Sequence, residues 1–329
     1  MTVSNVLRQR SSVTEETRQR VLRALEELNY IPVRTAVQNR HVANNDIGVL
    51  FLQEMQGAVG YPTFLGIVER GKQVDHDLTI LLRSAPAWVK PGAETRFLDR
   101  RCDGFIFVGD HRPDLSAALT GHKIPVVECY SVAPPPGVAR VVGDNVQAME
   151  LAVAHLVEQG HTRLAHIAGP EQNLEARERR DGFRAAVERH LGPDSVVGIV
   201  QGDTWGDLWG FDYGDDPGLV TQPIVEAVLA LDVTAVVCTN DHFALALWKK
   251  AEEKGLRVPQ DLSITGMDNI VEAERRGLTS VMTPFERIGR KAVDALLALI
   301  AGASAEDAGA VLPVNLIKRG SVGPPPRRS

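Results

Sequence analysis

Asp46-Ile47-Gly48-Val49-Leu50-Phe51-Leu52 is where the chain changes character. A short apolar run bounded by polar residues reads as a buried strand, Phe64 to Val74 as an amphipathic helix, and Leu78 to Leu82 as the next strand. Outward from this unit the pattern repeats. Gly104-Phe105-Ile106-Phe107-Val108, Pro125-Val126-Val127-Glu128-Cys129, Leu164-Ala165-His166-Ile167-Ala168, Val196 to Val200, Ala235-Val236-Val237-Cys238 and Leu262-Ser263-Ile264-Thr265-Gly266 are short strands, most separated by helical stretches. Strands alternating with helices predict parallel sheets covered by helices, and about 270 residues of this rhythm suffice for two doubly wound lobes with a cleft between them.

Composition sets the class. The chain has 329 residues, 44% hydrophobic and 24% charged, enough to bury a sizeable core in more than one domain. No leader of basic, long apolar and then small residues opens it, and no apolar run is long enough to span a bilayer, so a cytoplasmic protein is expected. Cys102, Cys129 and Cys238 lie far apart in apolar stretches, without metal-ligand spacing, and read as buried free thiols. The net charge of −6 is uneven: residues 1 to 45 hold seven Arg and four Glu, a balance of +3, leaving 29 basic against 38 acidic residues, or −9, for the rest. A basic head on an acidic body suits a phosphate-contacting module joined to a small-molecule module.

The head carries a helix signal of its own. In Thr14-Glu15-Glu16-Thr17-Arg18-Gln19-Arg20-Val21, Thr14 is a good N-cap and two glutamates suit the positive end of the dipole. Val21, Leu22, Leu25 and Leu28 form one apolar face, the helix is expected to stop near Asn29, and Tyr30-Ile31-Pro32 follows as an extended or turn segment. The order T-V-S-x-V-L, then V-T-E-E-T-R-x-R-V, then L-N-Y-I-P resembles the head of the lactose-repressor (LacI/GalR) family of bacterial transcription regulators. The resemblance implies that Thr2 to Arg10 correspond to the recognition helix of a helix-turn-helix, the element that enters the major groove. It names Thr2, Ser4, Asn5, Arg8, Tyr30, Arg34 and Asn39 as the DNA-facing candidates. The family's first helix and turn would lie before Met1, so the head is incomplete. A start upstream of Met1 is expected, with a sensor unable to read DNA alone as the alternative.

The resemblance runs through the body. Asp144 to Gly160 followed by His161-Thr162-Arg163-Leu164-Ala165-His166-Ile167-Ala168-Gly169-Pro170 is similar to the family's D-x-x-x-A…H-L-x-x-x-G-H-x-R-I-A-x-I-x-G-P stretch. Arg177 to Phe183 resembles its R-x-x-G-F helix, and Gly255 to Asp268 its G-L-x-V-P-x-D-x-S-I-x-G-x-D signature. The implied fold is α/β: two doubly wound parallel-sheet lobes of the periplasmic-binding-protein type behind an incomplete all-α helix-turn-helix head. The expected division is a head at 1–30, a hinge at 31–45 and a two-lobed body at 46–319. The first lobe takes about 46–142 with 284–311, and the second about 143–283 with 312–319. In such a fold a small ligand closes one lobe on the other. The effector candidates carried over are Tyr130, Arg177, Trp205, Asn240, Asp268 and Phe285. A Trp face suits the C–H surface of a pyranose, and Arg, Asn and Asp can bond neighbouring hydroxyls. Each has a plain alternative. Asn240-Asp241 can cap a helix beginning at His242, Asp268-Asn269 can be an N-cap and turn, Phe285 can be core, and Trp209 competes with Trp205.

The sequence also departs from the family. Asn39 stands at the position whose leucine usually wedges into the minor groove, and Val33 where Asn is usual, which puts the usual operator bend in doubt. Tyr61-Pro62-Thr63-Phe64 alone represents the N-P-F-F loop of the first lobe, so effector identity cannot be read there. Enzyme signatures fail: Gln53 to Gly60 does not fit G-x-G-x-x-G after the first strand, and no G-x-S-x-G, H-E-x-x-H or G-x-x-x-x-G-K-[ST] is present. No catalytic residue, cofactor or metal is therefore expected, and His161 reads as a helix-terminus or surface residue. A transport-type solute-binding protein would share the lobes but need a secretion signal. The tail from 320 to 329, with Pro324-Pro325-Pro326, reads as disordered. The expected partners are operator DNA, once the head is completed upstream of Met1, a carbohydrate effector and a second copy of the chain.

Overall fold

Thr14 starts helix α1 (Glu15–Glu27) with its hydroxyl accepting from the Thr17 N–H at 3.4 Å, and Glu15 and Glu16 occupy the first turn. The computed structural model describes residues 6, 14–27, 45–52, 59–83, 97, 101–109, 113–130, 134–171, 173–193, 195, 197–201 and 222–326.

Strand β1 (Asp46–Leu52) lies between β2 (Asp77–Arg83) and β3 (Gly104–Val108), with Val49 opposite Ile80 on one side and Ile106 on the other. With β4 (Val126–Cys129), β5 (Ala139–Gly143) and β11 (Ala310–Leu312) they form one sheet of order β11-β5-β4-β3-β1-β2, parallel throughout. A second sheet has the order β12-β10-β9-β8-β6-β7. Its strands are β6 (Leu164–Ala168), β7 (Val197–Gln201), β8 (Ala235–Cys238), β9 (Ser263–Met267), β10 (Thr279–Met282) and β12 (Asn315–Ile317). Here β12 is antiparallel to β10, Met282 facing Asn315 and Ser280 facing Ile317. The reversal follows from the route of the chain. β10 ends where the chain leaves this sheet and β12 begins where it returns, so the two run in opposite senses.

The helices are α2 (Gly60–Gln73), α3 (Pro113–Gly121), α4 (Asn145–Glu158), α5 (Leu174–Leu191), α6 (Gln222–Ala230), α7 (Asp241–Glu253), α8 (Val271–Arg276), α9 (Phe285–Ile300) and α10 (Ala305–Ala308). Side-chain alternation along a strand sorts the second lobe into two cores. Ala235 and Val237 of β8 pack with Met149, Leu156 and Phe183 of α4 and α5, whereas Val236 and Cys238 pack with Val228, Phe243 and Leu247 of α6 and α7. In the first lobe Ile288, Val293 and Leu296 of α9 join Ile47, Ile106 and Val127. The chain therefore changes lobes three times: from β5 into α4, from β10 into α9, and from β11 into β12. Helices α2 and α9 touch backbone to backbone. A Cβ on Gly66 would lie 2.0 Å from the Glu286 carbonyl oxygen, and one on Gly289 2.0 Å from that of Thr63.

Two expectations are corrected. The tail is ordered as far as Pro326: the Ser321 hydroxyl accepts from Thr279 N–H at 2.8 Å and donates to Ile264 O at 2.6 Å, and Gly323 N–H donates to the Ser263 hydroxyl at 3.1 Å. Serine and glycine ahead of the prolines give the tail a partner on β9 that a compositional reading cannot see. His161 is not a surface residue but wholly buried, with Nδ1 2.8 Å from the Thr234 hydroxyl and Nε2 2.8 Å from Gly323 O. Burial holds it below the usual histidine range.

Candidate functional site

In open α/β sheets ligands gather beyond the carboxyl ends of the strands. Tyr130 follows β4, Asn240 follows β8, Asp268 follows β9, and Phe285 stands three residues past β10. Each therefore sits at the ends where the chain passes between lobes.

The first lobe contributes an aromatic wall. Tyr130 has a left-handed backbone (φ 66) that turns the chain out of β4, and its hydroxyl is 3.0 Å from that of Thr63 on α2. Its ring meets Phe285 edge-on, centroids 5.9 Å apart and planes at 68°. Burial pushes the Tyr130 phenol well above its ordinary pKa of 10.0. Phe285 is buried against Tyr130 as well as core, which joins the two readings the sequence left open.

The second lobe contributes charge. Asp268 (φ 106) and Asn269 (φ 57) form a left-handed turn, with Asp268 N–H donating to Val281 O at 2.7 Å and Thr283 Oγ1 donating to Asp268 Oδ1 at 3.3 Å. Asp268 is not an N-cap, because α8 begins after Ile270 and has no side-chain cap. Burial pushes its carboxyl up to about 6, against the pull of Arg179. Beneath the turn, the buried Asp241 carboxylate accepts from Ile270 N–H at 2.9 Å and from the Ser280 hydroxyl at 2.6 Å. Burial, then the neighbouring Asp268, push it up to about 8. Asn240 caps α7, its Oδ1 accepting from Phe243 N–H at 3.0 Å.

Two arginines on α5 part company. Arg177 donates to Glu171 O at 2.8 Å, near the helix start. Arg179, 8% exposed, donates to Asn145 Oδ1 and to Thr239 O, both at 2.8 Å, and lies 3.3 Å from Glu175 Oε2. Residues two apart on a helix point to nearly opposite sides. Arg179 is therefore the one beside Asp268, and counting R-x-x-G-F back from Gly182 also reaches it. Glu175, Asn145 and Thr63 were not singled out from the sequence, and Asp241 was read only as a cap; Glu175 alone left a trace of its role, as the i,i+4 partner of Arg179. Across the lobes, Arg140 of β5 grips Glu178 of α5 with two parallel bonds of 2.6 and 2.8 Å, and Asn145 Nδ2 donates to the same carboxylate at 2.7 Å. Trp205 and the DNA-facing candidates Thr2, Ser4, Asn5, Arg8, Tyr30, Arg34 and Asn39 lie outside the described residues. Among the described residues no His, Cys, Asp or Glu group has metal-holding geometry, and no helix is long and apolar enough to cross a membrane.

Paired six-stranded lobes with polar and aromatic groups at the facing strand ends define a two-lobed ligand-binding protein of the periplasmic-binding type. The family model for periplasmic binding protein-like domains matches residues 153–322, that for periplasmic binding proteins and the sugar-binding domain of the LacI family matches 63–207, and that for bacterial regulatory proteins of the lacI family matches 1–33. The HTH-type transcriptional repressor PurR of Aliivibrio salmonicida is 30% identical over 320 residues, covering 90% of this chain and 87% of its own length. The transcriptional regulator CelR in complex with cellobiose superposes with a TM-score of 0.69 at 25% identity, over 97% of this chain and 94% of its own. The lac repressor dimer bound to operator and the anti-inducer ONPF gives 0.66 at 26% identity, covering 98% and 94%. The chain belongs to the LacI family of bacterial transcription regulators.

Proposed function

We propose that the chain is a repressor that binds operator DNA through its N-terminal segment and whose affinity for DNA is set by a small polar effector, a carbohydrate, held between the lobes. The observation that carries this reading is the convergence of Tyr130 and Phe285 from one lobe with Asn240, Asp268 and Arg179 from the other. An aromatic wall opposite a set of fixed polar groups suits the two sides of a sugar ring. The site assignment extends to Trp205, and Arg177 is a weaker member than Arg179. The working parts are a head at 1–30, a hinge at 31–45, and the two lobes divided near 142, 284 and 312. The assembly is a homodimer, as two recognition elements are needed to read a two-fold operator. A transport-type binding protein would have the same lobes and no use for the lacI-type segment at 1–33.

A thermal-shift screen of monosaccharides and disaccharides tests the effector: a ligand at 100 times its Kd stabilises the fold by about 2.7 kcal/mol. Fluorescence anisotropy on DNA from the promoter of the protein's own gene tests the coupling. A hit must change DNA affinity, and a ligand that binds without doing so defeats the regulatory reading.

A further inference from the structure

We propose that the effector carries a protonated amine, as in an aminosugar, and that Glu175 receives it. This rests on the cleft being the effector site. Every guanidinium nitrogen of Arg179 has a partner, and Arg140 keeps only its buried Nε without one. Arg179 spends Nε on Asn145, Nη1 on Thr239 O and Nη2 on Glu175, and Arg140 spends Nη1 and Nη2 on Glu178. On the acceptor side a full carboxylate oxygen is left over. Glu175 is 7% exposed, yet its Oε1 accepts no hydrogen bond. The nearest cation, Arg140 Nη2, is 3.9 Å away, beyond hydrogen-bond reach. Asp268, 9% exposed, accepts from Thr283 at a long 3.3 Å.

Glu175, Glu178 and Asp268 thus face Arg140 and Arg179, three carboxyl groups against two guanidinium groups. A buried carboxylate lacking a donor is costly, and an ammonium supplies three donors and a positive charge at one atom. Burial raises the pKa of both Glu175 and Asp268, and an incoming cation opposes that shift. A phosphorylated effector has the opposite charge and meets, among these groups, only the single buried Arg140 Nε left without a partner.

Calorimetric titration at pH 7 with D-glucosamine against D-glucose, D-galactosamine against D-galactose, and glucose 6-phosphate decides the matter. The amino member of a pair should bind at least about tenfold tighter, equivalent to one hydrogen bond to a charged group. Glu175→Gln should bring the two members of that pair within about twofold of each other while its melting curve remains cooperative. Should Glu175→Gln fail to fold, the wild-type titrations still decide. Hydroxyl sugars or the phosphate binding as tightly as the amines would overturn the inference and leave the carbohydrate reading standing. A preference that survives Glu175→Gln would overturn the role of Glu175. No binding by any of the five would overturn both the inference and the carbohydrate reading.

Discussion

The two lobes share a sheet order and differ in what they bring to the cleft. The first offers Tyr130, seated on the first-lobe core and steadied by one hydroxyl contact to Thr63, and the buried Phe285 packed edge-on against it. The second offers Arg179, Glu175, Asp268 and Asn240, all buried and fixed by hydrogen bonds rather than by packing alone. A wall made by packing tolerates ligands of many shapes. A set of oriented charges discriminates, because a buried polar group left unpaired costs more than a poor contact. Selectivity is therefore expected to lie in the second lobe and closure in the fit between them.

That contrast can be broken experimentally. Arg179→Ala leaves Asn145, Thr239 O and Glu175 without their common donor, and should cost about 3–5 kcal/mol of stability, read by urea denaturation. A loss under about 1 kcal/mol would mean the network is peripheral. Next comes the pH response. Asp241 has its pKa raised from 3.8 to about 8, so its contribution is fully present below 3.8 and lost as pH rises through 8. His166, lowered from 6.5 to about 4, works in the other direction, gaining stability as pH climbs to 6.5. Asp241→Asn removes only the first effect. The stability of the wild type relative to this variant should fall between pH 5 and pH 8.5, on the order of a few kcal/mol. A constant difference would show that Asp241 titrates normally.

The first lobe should respond to steric rather than electrostatic change. Gly289→Ala drives a methyl group into the Thr63 carbonyl and should cost about 1–3 kcal/mol, with looser effector binding as α2 and α9 part. Smallest is Tyr130→Phe, which deletes one hydroxyl contact: about 1 kcal/mol, in melting temperature, with the ring wall preserved. If Tyr130→Phe abolishes effector binding, the wall is chemical and not merely a surface.

Much of this architecture was legible because strand and helix periods differ. The apolar runs at 47–52, 104–108, 164–168 and 235–238 coincide with observed strands. Four strands were not foreseen: β5, β10, β11 and β12. Two are three residues long, and β10 (Thr-Ser-Val-Met) buries a serine that bonds Asp241, so its burial is partly polar and carries no apolar run. At the site, the residues just past strands came from the family resemblance, and the strand rhythm only located the strand ends they follow. The helix was harder, since Arg177 and Arg179 differ by a rotation that only the register of the motif decides. Asp241 was legible as a cap neighbour but not as the brace of a turn some thirty residues away, because a contact between distant segments leaves no local pattern.

The three passages between lobes carry a consequence for the order in which the protein can be made. The first sheet is incomplete until α9 and β11 exist, and the second until β12 and Ser321 exist. Neither lobe can therefore finish during synthesis while the other waits, as tandem domains do. Both are completed only by the segment from α9 through Ser321, and the molecule matures as one interlaced unit.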